Sequence, residues 1–303
     1  RDVFYNSFYN INDQQGNLVD TLKIGKDNPN HPEIVTVNYP VKETKSEKFD
    51  YKFSTKFNFL TISQWGPRKN LEATIGWFVE NFKENEDVGL VVKAALQNTS
   101  NIDKEMTKER LKNLLNSEKL KGRKCKIYLV HGDMTEEEMN GLYEHKSIKG
   151  FINIAHGEGF GLPMFEAAYH KVPVIAIGWS GHLDFLYAPE KKKKTKKSKN
   201  EKIAHFAKVS HTMGQVQPYA VWDGVIQKDS LWAYPVEKSY KAALQDVYEN
   251  HKVYQKTANN LNTYLRSKFT NANQYKQFAD AVYQNENFDV EGWLDSLGEE
   301  VFE

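Results

Sequence analysis

Two glutamates, Glu158 and Glu166, stand eight residues apart in a glycine-rich stretch of the chain. Glu158 lies between Gly157 and Gly161, and Glu166 follows one turn into a helix predicted to begin at Pro163. Glycine loops let a ligand approach the backbone closely, and a helix N-terminus offers free N–H groups and a positive dipole end to an anion. Carboxylates accept paired hydrogen bonds from vicinal hydroxyls. A ligand that carries both phosphates and a sugar or ribose diol fits this combination.

Basic residues for such a ligand are available earlier in the chain. Arg68 and Lys69 lie in the predicted loop of residues 63–70. A diphosphate that departs from a sugar carries negative charge, which nearby cations stabilise. These residues could also have a purely structural role instead of binding a ligand. Arg68 and Lys69 would suit an exposed turn, and Glu166 would suit the first turn of a helix.

The elements that must position these residues alternate between strand and helix. Short apolar runs predict strands at residues 57–62, 88–92, 126–130, 151–155 and 172–177. Helical periodicity and capping signals predict helices at residues 71–82, 104–115, 135–145 and 163–170. This alternation predicts an α/β fold with a Rossmann-like, doubly wound parallel sheet. The candidate loops then share the carboxyl edge of the sheet, where ligands bind in such folds.

The run Glu-Gly-Phe-Gly-Leu-Pro-x-x-Glu-Ala, followed by Val-Pro-Val-Ile-Ala and Gly-x-x-Gly, resembles the E-x7-E signature of retaining GT-B glycosyltransferases of the family 4 class. The resemblance covers residues 57–186 well and 187–285 loosely. It implies that residues 51–285 form the C-terminal, donor-binding domain, with a Lys-rich insertion at 190–200 and a helical tail at 286–303. Residues 1–50 would then be a remnant of a largely absent N-terminal domain and the crossover linker.

The resemblance also implies roles for single residues. Glu158 would contact the transferred sugar, Glu166 the ribose diol, and Arg68 and Lys69 the diphosphate. The family arginine most often lies where this chain has Gln64, so Arg68 would replace it. Backbone groups complete the expected site. The phosphates would be contacted by Gly159, Phe160, Gly161 and Leu162. The nucleobase would be contacted by His131 and Gly132.

The reaction implied by the resemblance is transfer of a sugar from a UDP- or GDP-linked donor to an acceptor hydroxyl with retention of configuration. It requires no metal and no other cofactor, and the acceptor would be a glycan, a lipid or a small molecule. The chain alone could be inactive, because the acceptor domain is missing from it. The alternative is a non-catalytic nucleotide-sugar binding module, or a subunit that requires a partner. A Rossmann oxidoreductase is disfavoured, because the glycine corner comes late in the alternation.

Composition limits the partners and the compartment that we expect for this chain. The 303 residues carry a net charge of +1, which implies no field for a polyanion and no nucleic-acid partner. The single cysteine, Cys125, excludes an intramolecular disulfide and fits a reducing compartment. Cytoplasmic residence, with possible contact at a membrane face, is what the resemblance and the Lys-rich run imply. The Lys-rich run Lys191–Lys199 is typical of a solvated insertion. Its functional alternative is peripheral contact with an anionic membrane.

Overall fold

Seven parallel strands form the main sheet of the computed structural model, which describes residues 34–38, 51–189 and 202–283. The order across the sheet is β1-β4-β3-β2-β5-β6-β9. The strands are β1 Ile34–Asn38, β2 Phe57–Gln64, β3 Val88–Ala95, β4 Lys126–His131, β5 Ile148–Asn153, β6 Val174–Ile177 and β9 Ala207–Val209. This arrangement confirms the predicted α/β class and its Rossmann-like, doubly wound parallel sheet.

The direction in which the chain adds strands to the sheet reverses between β2 and β5. The chain builds outward from β2 through β3 to β4, and then returns to place β5 on the other side of β2. Leu60 of β2 lies in register with Phe151 of β5 at this junction. In doubly wound folds, the loops that leave the carboxyl ends of two such strands turn to opposite sides of the sheet, and ligands bind in the crevice at this point.

Helices cover both faces of the sheet. The helices of this unit are α1 Leu71–Phe82, α2 Asn101–Leu115, α3 Glu136–Tyr143, α4 Leu162–Tyr169, α5 Leu183–Leu186 and α6 Glu237–Glu249. Two more helices follow along the chain, α7 His251–Lys268 and α8 Asn271–Tyr283. Phe59 of β2 shares one core cluster with Phe78 of α1 and Leu244 of α6. On the opposite face, Phe151 of β5 contacts Tyr143 of α3. Burial on both faces explains why the strands are apolar without alternation.

Three local differences from the sequence prediction have physical causes. Strand β5 ends at Asn153 rather than at residue 155, because the Asn153 side chain accepts the N–H of Ala155 and turns the chain. Pro163 is the second residue of α4, after the N-cap Gly161 and Leu162, and still needs no N–H there. Asn70 is the N-cap of α1, but its side chain donates to the Ile154 carbonyl instead of capping.

Two small antiparallel sheets lie outside the main one. Strands β7 (Tyr187–Pro189) and β8 (Lys202–Ala204) form one of them. Strands β10 (His211–Gln215) and β11 (Leu231–Pro235) form the other.

Several predictions fall on residues that the structure does not describe. They are the Lys191–Lys199 run, the helical tail at 286–303, and residues 1–50 apart from β1. The chain divides into two compact units, residues 1–262 and 263–303, and the candidate site described below belongs entirely to the first. Within the described ranges, none of the helices has the length and apolar character needed to cross a bilayer.

Candidate functional site

Two loops meet at the carboxyl ends of β2 and β5, where the order of strand addition reverses. Residues 65–70 follow β2, and residues 154–161 follow β5. The His156 N–H donates to the Arg68 carbonyl at 2.8 Å, and the Asn70 amide donates to the Ile154 carbonyl at 3.3 Å. These bonds tie the two loops together, so the basic residues of the first loop face the acid of the second.

The centre of the site is an ion cluster formed by Arg68, Lys69 and Glu158. Lys69 Nζ lies 2.6 Å from Glu158 Oε1 and 2.8 Å from Oε2. Arg68 Nη1 lies 3.2 Å from Oε2 and also donates to the Gly157 carbonyl. Asn153 Nδ2 donates to Oε1 at 3.1 Å. The structure therefore brings together the three residues that the sequence proposes for the sugar and the diphosphate.

The Glu158 carboxylate is saturated by these contacts. A carboxylate offers about four lone-pair sites, and Glu158 accepts four hydrogen bonds from Lys69, Asn153 and Arg68. Burial by itself would raise the pKa of Glu158, but the hydrogen bonds and charge of Lys69, with help from Asn153 and Arg68, outweigh it and hold the pKa below its usual value. Glu158 is therefore ionised at neutral pH.

The cations of the cluster remain reachable from solvent. The side chain of Arg68 is 42% exposed and that of Lys69 is 21% exposed, whereas that of Glu158 is only 7% exposed. An anion that arrives from outside therefore meets the two basic groups before it meets the carboxylate.

A third loop, after β6, holds the backbone of Glu158. Ser180 Oγ accepts the Glu158 N–H at 2.7 Å and donates to the Glu158 carbonyl. The Gly181 N–H donates to the same carbonyl at 3.0 Å. A Cβ on Gly181 would lie 1.7 Å from the Gly159 carbonyl oxygen, so only glycine permits this approach.

The glycine corner presents unused donors at the start of α4. Among the residues that the structure describes, the amides of Gly159, Phe160 and Gly161 have no hydrogen-bond acceptor. Gly161 has φ +83°, a left-handed conformation that favours glycine. A Cβ on Gly159 would meet nothing within 4 Å. Phe160 and Leu162 are exposed at this corner. The corner can therefore receive an anion.

Glu166 is held from the neighbouring helix. Tyr143 OH donates to Glu166 Oε2 at 2.7 Å, and the Tyr143 ring stacks on His170. Burial, together with the charge and hydrogen bond of Glu166, raises the pKa of Tyr143, so the phenol keeps its proton and remains a donor. Glu166 thus has a fixed orientation on α4, the helix that the glycine corner begins.

His131 and Gly132 lie at the end of β4, two strands away from β2. The His131 imidazole is buried, and its Nε2 lies 2.8 Å from Asp103 Oδ1. Lys93 Nζ donates to the Gly132 carbonyl at 3.2 Å. No described contact joins these residues to the ion cluster, and their nucleobase contacts stay a prediction.

Sequence reasoning passed over three residues that orient the site: Asn153, Ser180 and Tyr143. A polar residue at the end of an apolar strand, as in Phe-Ile-Asn-Ile, is the signal that could have identified Asn153. No sequence pattern identifies Tyr143 or Ser180. Tyr143 contacts Glu166 and Ser180 contacts Glu158, and each comes from a different segment of the chain.

Within the described residues, no three His, Cys, Asp or Glu side chains are grouped in a way that could hold a metal ion. The expected independence from metal stays a prediction. His156 and His182 are both buried and each bonds a backbone carbonyl, of Ala233 and Ile177 respectively. Fold and site together define a doubly wound α/β protein in which two cations, a buried carboxylate and unpaired backbone N–H groups lie where the order of strand addition reverses.

Comparison with known proteins finds sequence similarity over part of the chain. No family model matches the chain. Over 118 residues it is 30% identical to the serotype-specific mannosyltransferase WbdA of Escherichia coli; this match spans 39% of the chain and 13% of that protein. The chain thus corresponds to only a small part of its curated relative.

Solved structures show a likeness in fold. The C-terminal domain of a glycosyl transferase group 1 family protein (LpcC) from Francisella tularensis is 17% identical, with a TM-score of 0.46, over 72% of this chain and 88% of that one. Sucrose-phosphate synthase from Thermosynechococcus elongatus is 14% identical, with a TM-score of 0.49, over 76% of this chain and 45% of that one.

Proposed function

We propose that this chain carries the donor-binding half of a glycosyltransferase that transfers a sugar from a nucleoside-diphosphate sugar to an acceptor hydroxyl. The observation that carries the proposal is the meeting of Arg68, Lys69 and Glu158 beside the free amides of Gly159 and Phe160. The stretch that is 30% identical to a mannosyltransferase supports the same class of reaction.

The diphosphate of the donor would rest against the start of α4. Backbone N–H groups and the helix dipole stabilise negative charge there. Arg68 and Lys69 would neutralise the charge that builds up on the leaving group, and this electrostatic effect is a major source of rate in group transfer. UDP and GDP are the two leaving groups that we expect.

Binding of the diphosphate would release Glu158. All the acceptor positions of its carboxylate are engaged in the structure, so it can accept a sugar hydroxyl only after a cation turns away. Phosphate oxygens compete for Lys69 and Arg68 and would draw them from the carboxylate. We infer that Glu158 contacts the sugar only when the diphosphate is present, while Glu166 receives the ribose diol.

Transfer with retention would then occur by attack on the face that the leaving group occupies. The departing phosphate, still held by Arg68 and Lys69, would help to remove the proton of the acceptor hydroxyl. Glu158 would orient the sugar and stabilise developing positive charge, rather than form a covalent bond. The pair Glu158 and Glu166 thus differs from the paired carboxylates of a glycosidase, because each addresses a different part of one donor.

Calorimetric titration with UDP and with GDP tests the assignment. Lys69→Ala removes the cation nearest to Glu158, and we expect binding of the preferred nucleotide to weaken by about tenfold or more, roughly 1.4 kcal/mol. Glu166→Ala removes the diol acceptor, and we expect a loss of several-fold in affinity. Undiminished binding in both variants would reject the site.

Lys56→Ala is the matched control. Lys56 stands before the first residue of β2, whereas Lys69 follows the end of that strand, and the Lys56 side chain is 87% exposed. Its removal changes the net charge equally and should leave nucleotide affinity unchanged. Turnover of UDP- and GDP-sugars in the same samples distinguishes an enzyme from a module that only binds the donor.

A further inference from the structure

A hollow of about 80 Å³ lies beside the ion cluster; it shares loops with the donor site, but Arg68, Lys69 and Glu158 do not line it. Its walls come from the start of α1 with the loop before it, from α2, from the loop after β5 and from the segment after β10. The side chains that matter to the argument are Trp65, Glu72, Arg110, His156, Gln217 and Tyr219.

Trp65 supplies a buried donor without an acceptor. Only 5% of this residue is exposed, and its indole N–H has no hydrogen-bond partner within the described part of the chain. A buried polar group that lacks a partner retains its full desolvation penalty. The Trp65 side chain lines the hollow, so a ligand that enters it would lie against the indole.

The charges of the hollow cancel. Arg110 donates from Nη2 and Nε to the same oxygen of Glu72, Oε1, at 2.7 and 3.1 Å, and its guanidinium lies 5.1 Å from the centre of the Trp65 ring. Burial lowers the pKa of His156, so its ring is neutral at pH 7. The hollow therefore suits an uncharged ligand, and Glu72 Oε2 is placed to accept from a hydroxyl.

An aromatic face stands at the edge of the hollow. Tyr219 is 73% exposed, and its hydroxyl bonds the side chain of Gln217. Such a ring presents both an apolar face and a polar tip. The volume of the hollow equals that of about two to three water molecules, which is room for the hydroxyl edge of a sugar ring while the face of that ring lies against Tyr219.

We propose that this hollow is a subsite for a neutral saccharide, and that it holds a sugar unit of the acceptor glycan; the acceptor role rests on the proposed transferase function. Its walls include Gly66 and His156, each two residues from a member of the ion cluster, Arg68 or Glu158. A saccharide held there would lie next to the donor crevice, as an acceptor must.

The indole resonances of the 15N-labelled chain test the proposal. The six tryptophans give separate N–H signals, and Trp65→Phe identifies that of Trp65. We titrate methyl α-D-mannopyranoside, chosen because the partial sequence match is to a mannosyltransferase, and inorganic phosphate in a parallel experiment. We expect the Trp65 signal to move saturably with the mannoside, in the millimolar range, and to stay in place with phosphate.

Variants of Tyr219 locate the effect. Tyr219→Ala should weaken the mannoside response by about fivefold to tenfold, whereas Tyr219→Phe, which keeps the ring, should keep the response. Tyr275→Ala is the control, because Tyr275 is equally exposed and lines no part of the hollow. Since Tyr219 is an exposed side chain, these variants remain informative even if Trp65→Phe fails to fold.

Two results would overturn the proposal: a Trp65 signal that moves with phosphate but not with the mannoside, or one that stays in place with mannoside up to the order of 100 mM. UDP and GDP are titrated into the same samples. Nucleotide binding without a mannoside response rejects the subsite and leaves the transferase intact. A mannoside response without nucleotide binding supports the saccharide site and rejects the transferase.

Discussion

Glu158 differs from an ordinary loop acid in its surroundings rather than in its chemistry. Lys69 and Arg68 face its carboxylate, and Asn153 adds a neutral donor. An ion pair between exposed residues contributes little to stability, because water already solvates both charges. At Glu158 the carboxylate is withdrawn from water, so loss of its charge would leave two cations without their counterion.

The pH dependence of stability follows from this pairing. The pKa of Glu158 is lower in the folded chain than its ordinary value of 4.5, so its contribution is complete above that pH and is lost as the pH falls through the lowered value. We expect Glu158→Gln to reduce the free energy of unfolding by about 1–3 kcal/mol at pH 7. The difference from wild type should shrink below pH 4.5, as urea titrations at several pH values would show.

Glu118→Gln provides the comparison. Glu118 Oε1 also lies 2.6 Å from a lysine, Lys121, but its side chain is 87% exposed. Its replacement should leave stability unchanged at every pH. An equal effect of the two substitutions would show that burial of Glu158 contributes nothing to the pairing.

At the scale of elements, the site depends on three loops that follow β2, β5 and β6. Neighbouring parallel strands end at one edge of the sheet, so their loops meet there although they are distant in sequence. Gly181 lets the loop after β6 touch the glycine corner, and Ser180 then bonds the backbone of Glu158. Glu158 lies in the loop before α4, so it is positioned by loop packing and not by a helix.

Two glycine substitutions separate packing from binding. Gly181→Ala places a methyl group 1.7 Å from the Gly159 carbonyl oxygen, so the two loops must separate. We expect the variant to lose about 1–3 kcal/mol of unfolding free energy and to bind nucleotide poorly. Gly159→Ala meets nothing within 4 Å and should fold normally. Its methyl group should still weaken nucleotide binding, because it occupies the surface where the diphosphate approaches.

Urea unfolding measures the stability of both variants, and calorimetry measures their affinity for nucleotide. If Gly159→Ala binds UDP and GDP as tightly as wild type, the diphosphate does not lie against the glycine corner. If Gly181→Ala is as stable as wild type, the loop after β6 does not depend on this close approach.

At the scale of the whole molecule, the chain has no strong overall field. Its net charge is +1, so attraction of a nucleotide must come from the few cations of the crevice and not from the summed charge of the surface. The crevice is built on the central strands β2 and β5 of the sheet. Ligand binding there should therefore stabilise the sheet domain as a unit.

Thermal unfolding with nucleotide measures this linkage. A ligand at about 100 times its dissociation constant stabilises the state that binds it by about 2.7 kcal/mol. We expect the preferred nucleoside diphosphate to raise the unfolding temperature of the wild-type chain and of Lys56→Ala equally, and that of Lys69→Ala much less. A shift that is the same in all three proteins would place the nucleotide elsewhere.

The sequence by itself determined the type and order of the elements around the site. Apolar runs at Phe59 and Phe151, the Thr135–Glu138 capping box and the periodic face of α1 are local signals, and each element formed where such a signal predicted it. The position of the acids and cations on loops after strands was also readable, since strands and glycines mark their neighbours along the chain.

Tertiary structure decided what those loops contact. The pairing of Lys69 with Glu158 and the orientation of Glu166 by Tyr143 each join groups from separate segments. The end of β5, by contrast, is set locally by the Asn153 side chain, which accepts the Ala155 N–H and also donates to Glu158. Periodicity reports which face of an element is buried; it carries no information on which side chains meet across a crevice, because strand order and loop packing bring those groups together.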